Sequence, residues 1–122
     1  MEDSSREVNE PGMVYIDVEE GLKRVMQNKA LYGKLLHKLK TDTHFEELIA
    51  ALKTQDYDRA QTAVHAIKGM AANLSLRALF TEAQALEERL KNGVLDAGGL
   101  EGITRCYEQT LVTIDTVLER YP

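Results

Sequence analysis

Three residues near the middle of the chain have the types and spacing that chemistry on a phosphoryl group would use. His65, Lys68 and Gly69 stand at i, i+3 and i+4 within AVHAIKGMAANLSL, residues 63–76. Read as a helix, this region repeats Ala60, Val64, Ile67, Met70, Ala71 and Leu74 every three or four residues, which lines up one apolar face. At about 100° per residue, His65 lies roughly 160° around the helix from Ile67, so its imidazole points outward. Lys68 would place a cation beside whatever the ring carries, and it would offset the charge of a phosphoryl group. Glycine inside a helix costs about 1 kcal/mol relative to alanine, and the apolar stripe gives no reason for it. Its missing side chain leaves room for a large body approaching His65 along the helix.

Each of these residues also has an ordinary reading. An outward histidine on a helix is usually a solvated surface residue, and Lys68 alone would be a solvated charge or a contact for an acidic partner. His37 and His44 serve as comparisons, since neither has Lys at i+3 together with Gly at i+4. A carboxylate-bridged metal site in a helical bundle would want Glu three residues before each histidine. Those positions hold Lys34, Thr41 and Thr62, so no metal ligands are expected. There is no glycine-rich phosphate loop and no acidic metal cluster, so neither ATP nor a cofactor is expected to bind.

The run His65-Ala66-Ile67-Lys68-Gly69, continued by Ala72-Asn73-Leu74, Leu76, Leu79 and Leu86-Glu87, resembles the signature of histidine phosphotransfer (HPt) domains. The resemblance implies a phosphorelay intermediate that is not an enzyme. His65 would accept a phosphoryl group from a receiver-domain aspartate and pass it to another, with Mg²⁺ supplied only by the receiver. The implied partners are response-regulator receiver domains and a hybrid histidine kinase. It also places Glu87 near the histidine, where it would accept a hydrogen bond from one ring nitrogen and fix which nitrogen attacks. Gln61, Thr62 and Ala72 share the outward face and should border the docking surface. Many family members have glycine where this chain has Ser75, so the turn there is expected to be made differently. Two other readings stay open: a bundle that binds receivers or kinases without being phosphorylated, and the dimerisation fragment of a kinase.

Composition narrows the alternatives. The chain has 122 residues, enough for one domain, with 43% hydrophobic and 29% charged residues, two Pro and no Trp, which favours helices over sheet. Its net charge is −5 with cations scattered among acids, so nucleic acid is not an expected partner. The single cysteine, Cys106, cannot form an internal disulfide, and no apolar run approaches the roughly 18 residues that span a bilayer. With no leader pattern, the expectation is a cytoplasmic monomer.

The elements that must hold the site follow from periodicity and punctuation. Residues 1–12 are polar, acidic and aperiodic, and read as a disordered tail or linker ahead of a single domain over 13–122. Asp17 with Glu20 starts a short lid helix whose apolar face is Leu22, Val25 and Met26. From Asn28, the series Leu31, Leu35, Leu36 and Leu39 is helical, with Lys34, His37, Lys38 and Lys40 outside. Local pattern breaks this helix at residues 41–43, where Thr43 and Glu46 would form a capping box for Leu48, Ile49 and Leu52. The family resemblance implies one long helix through that point instead, and the long helix is the expectation adopted. Asp56 caps the central helix to about Asn73; Ser75 can cap the next, with Leu76, Leu79, Phe80, Ala83, Leu86 and Leu90 inside and an end at Asn92-Gly93. After a glycine-rich connection over 96–99, Leu100, Ile103, Tyr107, Leu111, Ile114 and Leu118 mark a last helix to Arg120. Tyr32, Tyr57, Tyr107 and Cys106 read as core or core-edge residues. The fold class is all-α: an antiparallel up-and-down four-helix bundle with an additional short N-terminal helix.

Overall fold

The computed structural model describes residues 15–94 and 97–120, and every element among them is an α-helix. In chain order these are α1 (Val18–Arg24), α2 (Lys29–Lys40), α3 (His44–Lys53), α4 (Tyr57–Leu74), α5 (Arg77–Lys91) and α6 (Ala97–Leu118). The expected tail over residues 1–12 lies outside the described residues.

Asp17 caps α1 as expected, its carboxylate accepting from the Glu20 N–H at 3.1 Å. The apolar face is shorter than the sequence suggested. Met26 is 89% exposed, because α1 ends at Arg24 and both Met26 and Gln27 turn into the left-handed region. Asn28 then caps α2 through the Leu31 N–H. In α2 the innermost side chains are Tyr32, Leu36 and Leu39, while Leu31 is exposed. The Tyr32 hydroxyl donates to the Leu74 carbonyl at 3.1 Å and ties α2 to the end of α4.

The single long helix expected across residues 41–43 is not formed; α2 and α3 are separate. Asp42 makes the break. Its carboxylate accepts from the His44 N–H at 2.8 Å and faces His44 Nδ1 at the same distance, satisfying a first-turn donor of α3. Thr43 sits at the N-cap position but makes no capping bond, so the capping box that the local pattern offered is also absent. Lys40 pairs with Asp115 and Phe45 stacks on Tyr107 at 4.1 Å between ring centroids. These contacts run α2 and α3 together antiparallel to α6, as one broken member of the bundle.

α4 is the central element, packed between α3 and α5, with α2 against its C-terminal half. Ile67, Leu79, Leu86, Ile103 and Ile114 fill the core with at most 1% of their surface exposed. Cys106 is buried there, and burial pushes its thiol up to about 11. Among the described residues, every buried side-chain nitrogen or oxygen has a hydrogen-bond partner.

Ser75 does not cap α5. It ends α4 in the left-handed conformation, φ 58° and ψ 42°, and Leu76 takes the N-cap position of α5 without a side-chain bond. The backbone thus adopts the conformation glycine enters without strain, and serine here returns a bond that glycine cannot. Ser75 Oγ donates to Glu20 at 2.8 Å, its carbonyl accepts from the Asp17 N–H at 2.9 Å, and α1 is strapped across the α4–α5 turn. At the other end of α5, Gly93 occupies the left-handed position expected of it, at φ 70°. α6 begins at Ala97, so Gly98 and Gly99 belong to its first turn rather than to a connection, and it stops at Leu118.

Candidate functional site

The orientation of His65 is fixed by what α4 buries. Asp56 starts the helix by accepting from the Arg59 N–H at 3.2 Å, and Ala60, Ala63, Val64, Ile67, Ala71 and Leu74 face the core. Alanines on this face let α3 and α5 approach closely. The opposite face is therefore a ridge in solvent, and the His65 side chain on it is 72% exposed. Gly69 follows one turn later, also exposed. A Cβ built there would meet nothing within 4 Å, so no packing among the described residues accounts for the glycine.

α5 runs antiparallel beside α4 and brings Glu87 under the ridge. The family resemblance placed Glu87 near the histidine, and the structure leaves only 7% of its side chain exposed. Glu87 Oε2 lies 2.8 Å from His65 Nδ1, and Oε1 accepts from the Lys68 ammonium. The Lys68 hydrogen bond, together with the one from His65, holds the Glu87 carboxyl below the ordinary carboxylate value although burial pushes the other way. A carboxylate can only accept, so Nδ1 carries the proton and donates it, and in the neutral ring the lone pair falls on Nε2. Lys68 thus reaches back to Glu87, and its ammonium has three donors, so it can keep that bond and still meet an oxygen beside the ring. Lys91, one turn beyond Glu87 on α5, also lowers the Glu87 carboxyl. The Glu-x-x-x-Lys spacing was the signal that could have found it.

The expected docking residues divide. Thr62 stays exposed on the ridge with its hydroxyl bonded back to the Asp58 carbonyl, and Ala72 is half-buried further along it. Gln61 is half-buried, and its amide donates to the Leu90 carbonyl at 3.3 Å, holding the start of α4 to the end of α5. Among the described residues, no group of His, Cys, Asp and Glu could hold a metal ion, and no helix is long and apolar enough to cross a membrane.

The model of the Hpt domain family matches residues 34–113, from within α2 to within α6, a stretch that contains His65, Lys68, Gly69 and Glu87. The chain belongs to the Hpt domain family. No curated protein and no solved structure matches it. Hpt domains are helical-bundle phosphocarriers of two-component phosphorelays, in which they meet receiver domains and kinases. In this Hpt domain, α1 lies outside the matched stretch, although it packs on α2 and α4.

Proposed function

We propose that His65 is the phosphoacceptor, loaded from the aspartyl phosphate of one receiver domain and unloaded onto an aspartate of another. The observation that carries this reading is the hydrogen bond from Nδ1 to a buried carboxylate, made by a ring that is 72% exposed one turn before Gly69. The Nε2 lone pair attacks phosphorus while the P–O bond to the aspartate breaks, and the aspartate leaves as a carboxylate. The ring then carries the phosphoryl group on Nε2 and a positive charge, and Glu87 accepts the Nδ1–H of that cation. Lys68 faces the added oxygens. Transfer onward reverses these steps on a second receiver, which regenerates the neutral ring. Lys68 and Gly69 serve acceptance through charge and access, and Glu87 is a positioning residue.

The chain acts as a carrier with no cofactor of its own; the receiver brings the Mg²⁺ that its aspartyl phosphate uses. The setting is cytoplasmic, with a hybrid kinase or its receiver as the donor. Incubation with a receiver labelled on its aspartate, for wild type and His65→Gln, tests the reading. Label on the wild type and none on the variant is expected. A wild type that binds the receiver and takes no label would make the domain an interaction module instead.

A further inference from the structure

The His65 side chain is 72% exposed, so packing does little to orient the ring; its tautomer is set by the 2.8 Å bond from Nδ1 to Glu87. Glu87 stands on a different helix. Its carboxylate stays under the ring only while α5 keeps its axial register against α4. A slide by one residue's rise, about 1.5 Å, is enough to spoil a bond of this length by distance or by angle.

Apolar packing alone is a weak guard against such a slide. The buried faces of the two helices include Ala60, Ala63 and Ala71 on α4 and Ala83 on α5, and side chains this short make shallow ridges. Polar bonds across the seam add what the alanines lack. One runs from the Lys68 ammonium to Glu87, but it ends a flexible stem, and Lys68 also faces the phosphoryl oxygens once they arrive. The other is made by Gln61, whose amide donates to the Leu90 carbonyl at 3.3 Å. Gln61 precedes His65 by one turn on α4, and Leu90 follows Glu87 by about one turn on the antiparallel α5. Successive turns of the two helices are therefore pinned by successive bonds, Gln61 to Leu90 and His65 to Glu87. Leu90 lies in the last turn of α5, where carbonyls run out of partners along the helix. The Gly93 N–H approaches this carbonyl at 3.1 Å, and its second lone pair is open to a side chain from α4.

We propose that Gln61 is a positioning residue: its bond to the Leu90 carbonyl fixes the register of α5, which holds Glu87 against His65 Nδ1 and leaves the lone pair on Nε2. As it concerns the rate of phosphoryl acceptance, the proposal rests on the phosphotransfer reading of His65; as it concerns the ring, it stands on the geometry. Gln61 touches neither the ring nor the phosphoryl group in this role. It acts through Glu87.

Two replacements and a cycle test it. Gln61→Met keeps the length of the side chain without the amide donor, and Gln61→Lys returns an N–H donor that suits the carbonyl end of α5. In ¹⁵N-histidine-labelled protein, at a pH where the ring is neutral, wild type should show His65 as the Nδ1–H tautomer. Gln61→Met should move it toward the mixture of a free imidazole, and Gln61→Lys should bring it back. With a phosphorylated receiver, Gln61→Met should be labelled about fivefold more slowly than wild type. Gln61→Met combined with Glu87→Ala should be no slower than Glu87→Ala alone, because both act through one bond. An unchanged tautomer in Gln61→Met, or losses of rate that add in the double variant, would overturn the proposal. Lower stability in urea with the ring still held as Nδ1–H would reduce Gln61 to a brace between helix ends. No label on the wild type would sink the phosphotransfer reading, and the tautomers would still decide what Gln61 does.

Discussion

Glu87→Ala removes the one acceptor shared by His65 Nδ1 and Lys68, and acceptance of phosphoryl from a receiver should slow about tenfold, as when a group orienting a histidine is lost. Glu87→Gln keeps an oxygen for Nδ1–H and should recover most of that rate, so the pair separates orientation from charge. Stability against pH reads the charge. The Glu87 carboxyl is held below its ordinary 4.5, so its contribution is fully present above that value and is lost as pH falls through the lower folded value. Wild type should be more stable than Glu87→Gln above about pH 5, with the gap closing in acid; a gap that persists unchanged at low pH would contradict it. Gly69 makes the opposite demand. Because a Cβ there meets nothing, Gly69→Gln should raise stability by about 0.5 kcal/mol in denaturant unfolding while slowing transfer sharply. At this scale the outward placement of His65 and Gly69 was legible because it is set by spacing along one helix. The burial of Glu87 and the commitment of Gln61 to Leu90 depend on a second helix, which spacing does not see.

Among the elements, α1 and the α2–α3 break carry the strongest tests. A Cβ on Gly21 would come within 2.5 Å of the Tyr32 ring, whose hydroxyl is held by the Leu74 carbonyl in a fully buried place. Gly21→Ala should therefore destabilise the fold by about 1–3 kcal/mol, measured by urea unfolding. Asp42→Ala should cost about 1 kcal/mol in the same assay, and Thr43→Ala almost nothing, because the carboxylate and not the hydroxyl satisfies the start of α3. Caps at Asp17 and Asp56 and the stop at Gly93 were readable because each is settled within four residues. Ser75 was misread for the converse reason. A serine ahead of a helix looks like an N-cap, yet bonds to Asp17 and Glu20, more than fifty residues away, hold it as the left-handed end of α4. The break after Lys40 shows the local pattern prevailing over the long helix that the family resemblance implied.

The molecule as a whole is a bundle whose apolar stripes face inward, and among the described residues the large hydrophobics exposed to solvent are Met26, Leu31, Val94 and Val112, scattered on α1–α2, the α5 end and α6. Such a surface predicts a monomer in size-exclusion chromatography with or without phosphoryl donor. The all-α class was legible from the stripes, and the register of α5 against α4 was not, since the helices must pack before it exists. On the proposed reading, the rigid bundle serves to present one ring nitrogen, Nε2 of His65. The most direct measurement is nuclear magnetic resonance of ¹⁵N-histidine-labelled protein after incubation with a phosphorylated receiver. Phosphorus coupled to Nε2 of His65, with Nδ1 still protonated, is the predicted spectrum. Phosphorus on Nδ1, on another residue, or on none would contradict the account.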